Sequence, residues 1–361
     1  MRSILFLAPY PFGVAPSQRY RFEQYLKILS NNGYVCDFDS FFDYRTWDVL
    51  YIKGSFKLKL VGTLRGIIRR LWLLRNIRKY TWVFIHREAI PFGPPWYEWI
   101  LVKIFKKKIV YDFDDSLWIK QVSNANLWAC VIKPTTKISN ICSISMKVCA
   151  GNPYLAAYAK QYNNRVCVIP TTIDTENTHT LIKQHQADRE VVVGWTGSHS
   201  TLPYLSLVAE AIGSLEKSYP IKFLVICNEI PKLNLNSLVY KQWNKETEIQ
   251  DLLKIDIGIM PLTETEWAEG KCGLKALQYM ALGIPALVSS VGVNKQIVEH
   301  EIDGYFCNSK EEWIMYIERL IKKPELRGCM GKKGREKVVN NYSVESNSQA
   351  FISLFEDAIA I

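Results

Sequence analysis

The most informative stretch of the chain is Glu269-Gly-Lys-Cys-Gly-Leu-Lys-Ala-Leu-Gln-Tyr-Met-Ala-Leu-Gly-Ile-Pro285. It predicts a glycine-bearing loop, a helix over about 274–282 and a Gly-x-Pro turn into a buried strand. The backbone N–H groups at such a helix N-terminus attract phosphate or diphosphate, and Lys271 adds a positive charge just before them. Glu269 begins the loop and is suited to accept hydrogen bonds from sugar hydroxyls. The alternative is an exposed loop before an ordinary core helix, and the residue types leave both interpretations open.

Short apolar runs alternate with helical patterns on both sides of this stretch, which predicts parallel sheets with crossover helices. The pattern restarts after a polar linker at 171–188. We therefore predict an α/β protein with two Rossmann-like, doubly wound domains, and a ligand cleft between them at the carboxyl ends of the strands. The predicted strands are Ser3 to Ala8, Val49 to Ile52, Trp82 to His86, Lys108 to Tyr111, Arg165 to Pro170, Val191 to Trp195, Ile221 to Cys227, Ile255 to Met260 and Ala286 to Ser289.

The domain boundaries follow from the same pattern. We assign residues 1–170 to an N-terminal domain and residues 171–340 to a C-terminal domain. Residues 341–361 are predicted to form an amphipathic C-terminal helix, with packing back on the N-terminal domain as one option.

The composition excludes several classes of protein. Of the 361 residues, 48% are hydrophobic and 22% are charged, which is typical of folded soluble proteins and not of disordered or collagen-like chains. The nine cysteines include no C-x-x-C pair, which indicates reduced thiols and argues against structural zinc. There is no run of about 18 apolar residues to span a bilayer, and the first nine residues do not resemble a secretory signal.

The charge is distributed unevenly between the two halves. Residues 1–170 contain 25 Lys and Arg against 10 Asp and Glu, whereas residues 171–361 contain 20 against 25. The segment Lys53 to Tyr80 holds nine basic residues and no acidic one, interleaved with Leu, Ile and Trp. A basic amphipathic helix of this kind is typical of proteins that lie on anionic membranes. The alternative is a crossover helix packed on the core with a solvated basic face. We predict no nucleic-acid partner, because no nucleic-acid-binding motif is visible.

Polar residues follow two predicted strands of the first half. His86, Arg87 and Glu88 come after one strand and are predicted to face the cleft; a capped turn is the alternative. Asp112, Asp114 and Asp115 follow the next strand. Clustered carboxylates bind sugar hydroxyls, act as bases or bind a metal, whereas the structural alternative is a helix N-cap.

Several segments together resemble one known family. The stretch from Glu269 to Pro285, with Val291-Gly-Val-Asn-Lys-Gln-Ile-Val298 after it, resembles the donor-binding motif of family 4 retaining glycosyltransferases of the GT-B fold, the glycosyl transferases group 1. Val168-Ile-Pro-Thr-Thr-Ile-Asp174, Gly194-Trp-Thr-Gly197 and Asp256-Ile-Gly-Ile-Met-Pro-Leu262 resemble other segments of that family's second domain, in the same order. The resemblance covers nearly all of the chain. It is dense in the second half and loose in the first.

The resemblance implies roles for single residues. The loop glutamate of the family holds the donor sugar, backbone amides hold the sugar or diphosphate, and basic residues neutralise the leaving diphosphate. We carry catalytic roles from the family to Glu269 and Lys271. His86 and Asp112 are also predicted to be catalytic, from their places after the two strands of the first half. The predicted donor-binding residues are Gly13, Arg19, Gly197, Ser198, Gly273, Leu274, Lys275 and Gln278, and the predicted acceptor residues are Arg87, Glu88, Asp114 and Asp115.

The chain also departs from the family. The family has a ribose-binding glutamate where this chain has Gln278. The spacing of nine from Glu269 to Gln278 is one longer than the common motif, which keeps Glu266 as an alternative donor-sugar glutamate. The turn after Gly197 reads Ser198-His199-Ser200 and holds no Arg or Lys for the diphosphate.

The predicted function is transfer of a sugar, with retention of anomeric configuration, from a nucleotide-sugar donor to a lipid-linked or polysaccharide acceptor. The expected donor is a UDP- or GDP-sugar, with no cofactor and no metal. We expect a cytoplasmic protein that is peripheral on the inner face of the cytoplasmic membrane. The alternatives are a sugar-nucleotide epimerase on the same fold, or an inactive membrane-bound binding subunit.

Overall fold

The computed structural model describes residues 2–52, 54–119, 134–186 and 190–356. These residues divide into two compact units. Unit 1 comprises residues 1–171 and 347–361, and unit 2 comprises residues 172–346. The first division falls one residue after the predicted boundary at 170, and the chain enters unit 1 again at residue 347 rather than 341.

Unit 1 is built on a six-stranded sheet in which all neighbouring strands are parallel, in the order β2-β1-β3-β4-β5-β6. Its central strands are apolar runs because helices cover both faces of a parallel sheet. The strands are β1 Arg2–Ala8, β2 Tyr34–Ser40, β3 Trp82–His86, β4 Lys108–Phe113, β5 Lys147–Ala150 and β6 Val166–Val168. The helices are α1 Pro16–Arg19, α2 Leu26–Asn31, α3 Tyr44–Leu50, α4 Phe56–Leu73, α5 Trp96–Trp99, α6 Lys137–Ile144 and α7 Pro153–Lys160, with 3-10 turns at Glu23–Tyr25 and Leu74–Lys79 and a π-helical turn at Ile100–Ile104.

Unit 2 repeats this architecture, with a parallel sheet in the order β12-β11-β10-β7-β8-β9. The strands are β7 Val191–Thr196, β8 Ile221–Cys227, β9 Leu238–Gln242, β10 Ile257–Met260, β11 Ala286–Val288 and β12 Gly304–Phe306. The helices are α8 Ser206–Leu215, α9 Glu248–Leu252, α10 Glu266–Glu269, α11 Leu274–Ala281, α12 Asn294–Ile297, α13 Lys310–Lys322 and α14 Pro324–Lys337, with a 3-10 turn at Leu202–Leu205 and a π-helical turn at Val338–Tyr342. The predicted α/β class with two doubly wound domains is confirmed.

The C-terminal segment forms α15 Val344–Ile352 and a 3-10 turn at Ser353–Phe355. Within unit 1, Phe351 stacks on Tyr25 with ring centroids 4.2 Å apart, and Phe355 lies against Phe6 and Trp82. The predicted helix extended to residue 361, and its last part, residues 357–361, lies outside the described residues.

The prediction of a strand over Val49 to Ile52 is wrong. Residues 44–50 form α3, whose first turn is capped by Asp43, because the carboxylate accepts a hydrogen bond from Thr46 N at 2.8 Å. The edge strand that pairs with β1 is β2, Tyr34–Ser40, which the sequence analysis did not predict. Strands β5, β9 and β12 were also not predicted.

Candidate active site

The strand order of unit 2 locates its binding crevice. The chain runs outward from β7 through β8 to β9 on one side, and from β10 through β11 to β12 on the other. The order therefore reverses between β7 and β10, and ligands of open α/β sheets bind outside the carboxyl ends of the strands at this reversal. Six of the predicted donor-binding residues lie after these two strands: Gly197 and Ser198 follow β7, and Gly273, Leu274, Lys275 and Gln278 lie between β10 and β11. The other two, Gly13 and Arg19, belong to unit 1.

Helix α11 presents its N-terminus through a glycine that a larger residue cannot replace without strain. Gly273 adopts φ 68°, in the left-handed region, and a Cβ built there would lie 2.1 Å from Ile297 Cδ1. The backbone N–H groups of the first turn, from Leu274 onward, have no acceptor within an α-helix and so are suited to bind an anion. The helix is fixed from its other side by Tyr279, whose hydroxyl accepts a hydrogen bond from Thr196 N at 3.0 Å.

The two lysines of this stretch lie over aromatic rings. Lys271 Nζ is 4.3 Å from the ring centroid of Trp267, and Lys275 Nζ is 5.5 Å from the ring centroid of Trp195. Trp195 is the penultimate residue of β7. Both contacts are cation–π interactions that hold the ammonium group in place. Lys275 thus reaches from α11 to the end of β7. Gln278 is buried in α11.

Glu269 and its alternative, Glu266, occupy the two ends of α10. Glu266 is exposed, whereas Glu269 is half-buried. The backbone of Glu269 packs against the loop before α12, because a Cβ built on Gly292 would lie 3.1 Å from Glu269 Cα and from its carbonyl oxygen. Gly292 itself has φ 54°. This packing holds the backbone of Glu269 against the loop after β11, and together with the partial burial of its side chain it favours Glu269 over the exposed Glu266.

The turn after β7 is tied to the end of β8. Gly197 lies against the ring of Trp195, and its N–H donates to Ile226 O at 3.0 Å. Ser198 Oγ is 2.8 Å from Ser200 Oγ. The next residue, His199, donates its backbone N–H to Asn228 Oδ1 at 2.8 Å, and its Nδ1 lies 3.1 Å from Asn228 Nδ2. The sequence prediction included neither His199 nor Asn228, because the two residues are 29 positions apart and neither belongs to a local motif.

In unit 1, a buried charged network joins three strands. Asp112, near the end of β4, forms an ion pair with Arg21, and its carboxylate lies within hydrogen-bond distance of His86 Nδ1, at 2.7 Å. Arg21 also donates to Cys149 Sγ at 3.4 Å.

Burial on its own raises the pKa of Asp112, but Arg21 and His86 outweigh the effect of burial and hold that pKa well below its usual range. His86 Nε2 has no hydrogen-bond partner among the described residues. Since His86 and Asp112 are fully buried, their placement favours a positioning role, and the catalytic assignment stays a prediction.

The neighbouring acidic pair is held by Arg87. Its Nε and one terminal nitrogen donate to Asp114 Oδ1 and Asp115 Oδ2, each at 2.8 Å. Burial lowers the pKa of Arg87, but the two carboxylates reverse this and raise it above its ordinary value. Residues 117–119, which follow, form turns and not the helix that an Asp N-cap would require. The interpretation of the aspartates as a helix cap is therefore wrong. The described residues contain no cluster of three His, Cys, Asp or Glu arranged for a metal.

Arg87 is also the strained residue of this edge of the sheet. Its φ of 61° lies in the left-handed region, which is uncommon for a residue with a side chain and costs about 1–3 kcal/mol. Such strain is concentrated at functional sites. The next residue, Glu88, is buried and lies 3.5 Å from Lys137 Nζ.

The first loop is organised from within unit 1. Gly13 has φ 77°, and its N–H donates to Glu23 Oε2 at 2.9 Å. Gln18 donates to Tyr10 O and to Glu23 Oε1, which closes the loop over the 3-10 turn. Arg19, at the end of α1, lies with its guanidinium 5.1 Å from the Tyr20 ring. The N–H of Gly13 is therefore already hydrogen-bonded within unit 1. The assignment of Gly13 and Arg19 to donor binding stays a prediction.

The predicted membrane segment begins at Lys53, which lies outside the described residues, and forms α4 and the 3-10 turn that follows it. Helix α4 packs on unit 1 through Gly62, Gly66 and Arg70. Arg70 is fully buried and pairs with Asp39, so it is not part of a basic surface. Most of the large apolar side chains of α4 point outward, among them Leu64, which is 51% exposed, and Ile68, which is 65% exposed. Among the described helices, none is long and apolar enough to cross a membrane.

The comparisons with known proteins agree with this architecture. Residues 205–337 match the model of the family Glycosyl transferases group 1. Over 117 residues, or 32% of this chain, the sequence is 26% identical to N-acetyl-alpha-D-glucosaminyl L-malate synthase of Bacillus anthracis. The match spans only 30% of that relative.

Two solved structures show the same fold. Sucrose-phosphate synthase from Thermosynechococcus elongatus is 15% identical, with a TM-score of 0.73 over 98% of both chains. The Anabaena protein HepE, solved in complex with UDP-glucose, is 14% identical, with a TM-score of 0.63 over 98% of both chains. The match over residues 205–337 confirms the resemblance to glycosyl transferases group 1 in that segment, and the two solved structures show that the fold is of the GT-B class.

Proposed function

We propose that this chain, whose residues 205–337 match glycosyl transferases group 1, transfers a sugar from a nucleotide-sugar donor to a lipid-linked or polysaccharide acceptor. The observation that carries the proposal is the crevice of unit 2. Glu269 is packed against the Gly292 loop, and the N-terminus of α11 opens beside it through the left-handed Gly273. A carboxylate beside an anion-binding helix end suits a sugar joined to a diphosphate.

The roles in unit 2 follow from this arrangement and from the family resemblance. Glu269 accepts hydrogen bonds from the donor sugar. The backbone N–H groups at Gly273 and Leu274 bind the diphosphate, and Lys275 neutralises part of its charge. Gln278 hydrogen-bonds the ribose in place of the family's glutamate. UDP is the first nucleotide to test, because HepE, which shares the fold, was solved with UDP-glucose.

The proposed reaction retains the anomeric configuration and uses no metal. A hydroxyl of the acceptor attacks the anomeric carbon on the face that the diphosphate leaves. The new bond joins the acceptor oxygen to that carbon, the carbon–oxygen bond to the phosphate breaks, and the acceptor proton passes to the departing phosphate oxygen. The protein contributes positioning and stabilisation of the charge that develops on the diphosphate.

Unit 1 is proposed to bind the acceptor. Arg87, Asp114 and Asp115 form a polar cluster at the carboxyl end of β3 and β4, and the strained backbone of Arg87 supports a functional position. The buried Arg21–Asp112–His86 network lies behind this edge and fixes the ends of the same two strands.

The donor assignment is tested by titration calorimetry of the intact protein with UDP, GDP, dTDP and ADP and with their glucose conjugates, with and without magnesium. We expect one nucleotide class to bind independently of metal and Glu269→Ala to abolish transfer. Glu266→Ala is the matched control on the same helix and should retain activity. If Glu266→Ala is inactive and Glu269→Ala is not, the sugar-binding glutamate is misassigned. If no nucleotide binds, the proposed function is wrong. Binding without turnover would support the inactive-subunit alternative.

We also infer that the protein is peripheral on the inner face of the cytoplasmic membrane, through α4. The support is the outward apolar side of this helix together with exposed cations, which are Lys57 and Arg65 in the helix and Arg75 and Arg78 in the 3-10 turn that follows it. Apolar side chains insert at the headgroup level of a bilayer, and basic residues add about 1 kcal/mol each on anionic lipids.

Vesicle sedimentation tests this surface. The double variant Leu64→Asp with Ile68→Asp should lose binding to phosphatidylglycerol vesicles at low and high salt. Replacement of Lys57, Arg65, Arg75 and Arg78 by Gln should weaken binding by about two to three orders of magnitude at low salt only, because salt screens exposed charges. Ile230→Asp, at an equally exposed isoleucine of unit 2, is the control and should bind as the wild type does. Unchanged binding of the Leu64 and Ile68 variant would refute the assignment.

A further inference from the structure

Four neighbouring strands of unit 1 place a row of reactive side chains across the sheet. In the strand register, His86 pairs with Asp112, and Asp112 pairs with Cys149. Cys149 in turn pairs with Cys167 on β6. Residues paired in this way carry their side chains on the same face of the sheet. His86 and Asp112 belong to the buried network of Arg21, whereas the proposed function gives no role to the two cysteines.

The two thiols meet the distance requirement for a disulfide. Neighbouring strands lie about 4.7–4.9 Å apart, and disulfides join residues whose Cα atoms are about 4.4–6.8 Å apart. A hydrogen bond already joins the side chains of Cys149 and Cys167, and both residues are free thiols. A bond between the two sulfurs therefore requires no rearrangement of β5 and β6.

The surroundings distinguish the two thiols. Cys149 is fully buried, whereas Cys167 is half-buried on β6, an edge strand of the sheet. The hydrogen bond between them lowers the pKa of Cys167, while the same bond and burial raise the pKa of Cys149. The thiolate is the nucleophile in thiol oxidation, and oxidation favours thiols that are accessible and readily ionised. Cys167 is therefore the thiol that an oxidant reaches first.

We propose that Cys149 and Cys167 form a reversible disulfide when the protein meets hydrogen peroxide. The Cys167 thiolate attacks one oxygen of the peroxide, the O–O bond breaks and hydroxide leaves, which gives a sulfenic acid on Cys167. The Cys149 sulfur then attacks the sulfenic sulfur, the S–O bond breaks, and the hydroxyl leaves as water with the Cys149 proton. In total, two thiols lose two electrons, and the peroxide is reduced to two molecules of water.

The disulfide acts on the edge of the sheet and on the charged network beside it. It links β5 to β6 across the segment that contains α7, and a cross-link of this kind stabilises the folded segment by restricting its unfolded state. Arg21 donates to Cys149 Sγ at 3.4 Å and also to Asp112 and to Ile169 O. The sulfur that oxidation modifies is thus a direct partner of the guanidinium that holds Asp112.

The experiment treats the intact protein with hydrogen peroxide, blocks the remaining thiols with iodoacetamide and maps the peptides by mass spectrometry. We expect a peptide pair joined through Cys149 and Cys167, and its loss after treatment with dithiothreitol. Amide hydrogen exchange of residues 147–168 should be about 10- to 100-fold slower in the oxidised protein than in the reduced one. Cys149→Ser should stop at the sulfenic acid of Cys167, which dimedone labels, whereas Cys167→Ser should leave Cys149 reduced.

Cys329→Ser is the matched control, because it removes an exposed thiol of α14 in unit 2 and should form the cross-link as the wild type does. Circular dichroism confirms that each variant is folded. Oxidation of Cys329 in a wild-type protein that lacks the Cys149–Cys167 peptide pair overturns the proposal, since the oxidant was then active. A dimedone label on Cys149 of Cys167→Ser, with none on Cys167 of Cys149→Ser, overturns the order of the two steps. Equal hydrogen exchange of the two redox forms refutes the effect on the sheet edge. These outcomes do not depend on whether the chain transfers a sugar.

Discussion

Replacement of Gly273 by alanine should destabilise unit 2 and weaken nucleotide binding together. Gly273 precedes α11 with φ 68°, and its Cα faces Ile297, whose Cδ1 would be 2.1 Å from a new Cβ. Two independent effects therefore oppose the substitution. The backbone must keep a left-handed conformation that disfavours a side chain, and the methyl group must displace part of a buried isoleucine.

The expected loss follows from these two effects. Left-handed backbone costs a residue other than glycine about 1–2 kcal/mol. Overpacking of a well-packed site costs about 1–3 kcal/mol. The sum predicts a loss of about 2–5 kcal/mol in the free energy of unfolding of unit 2. A helix N-terminus displaced by the new methyl group also presents its N–H groups at the wrong place, so we expect the nucleotide affinity to fall as well.

The steric part is tested by a double-mutant cycle. Ile297→Val removes the Cδ1 atom that the new Cβ meets, and alone it should cost about 0.5–1.5 kcal/mol. Gly273→Ala combined with Ile297→Val should therefore be more stable than the sum of the single changes predicts, by about 1–3 kcal/mol. Gly328→Ala is the matched control, because it lies in α14 with no atom within 4 Å of the added Cβ. It should stabilise the helix by about 0.5–1 kcal/mol.

Stability is measured by urea unfolding, with hydrogen exchange of peptides from unit 2 as the readout, because two units need not unfold in one transition. An unchanged midpoint for Gly273→Ala would refute the strain at this glycine. Strict additivity in the double variant would refute the contact with Ile297 while leaving the backbone effect.

Two further predictions concern buried charges of unit 1. Asp112→Asn leaves Arg21 buried without its ion pair and should lower the free energy of unfolding by about 3–5 kcal/mol. Asp48→Asn, at an exposed position, should change it by no more than about 0.5 kcal/mol. Because the folded-state pKa of Asp112 is lowered, its ion pair stabilises the protein above the unfolded pKa of about 4, and this stabilisation is lost as the pH falls below that value. The urea midpoint of Asp112→Asn should therefore depend less on pH in that range than the midpoint of the wild type does. Equal pH dependence of the two midpoints would contradict the lowered pKa of Asp112. Arg70→Met should lower the free energy of unfolding by about 3–5 kcal/mol, because Asp39 loses a buried partner. Arg75→Met, at an exposed position of the same segment, should have little effect. Equal urea midpoints for the two variants would show that the buried ion pair of Arg70 does not stabilise the protein.

The sequence was most informative for long apolar strands and less informative for short strands and for strands with charged residues. Ile221 to Cys227 was predicted with the bounds that the structure has, because a parallel strand covered on both faces is a continuous apolar run. Tyr34–Ser40 was missed because it is an edge strand, half-exposed, and Asp37 and Asp39 interrupt its apolar pattern. Val49 to Ile52 was misassigned because four apolar residues fit the end of a helix as well as a strand.

At the candidate site, residues of one continuous motif were predicted, whereas pairs that are distant in the sequence were not. Glu269, Gly273 and Lys275 were predicted because they belong to one continuous motif whose spacing has a physical meaning. The Arg21–Asp112 pair joins residues 91 positions apart, and the His199–Asn228 pair joins residues after two different strands. Pairings of this kind depend on strand order and register, which one sequence does not contain.

Helix α4 shows how a composition can indicate a surface without indicating its orientation. A crossover helix that only covers a sheet turns its leucines and isoleucines inward. In α4 the inward positions are Gly62 and Gly66, where a Cβ would lie 2.2 Å from Thr46 Oγ1 and 2.6 Å from Phe41 O. Larger residues do not fit at this distance, so the helix must approach the unit closely and carry its apolar side chains on the outer side. The interpretation of this segment as a helix with its apolar face on the core is therefore wrong. The outward apolar side follows from the positions of the two glycines, and it is the strongest support for the proposed contact with an anionic membrane.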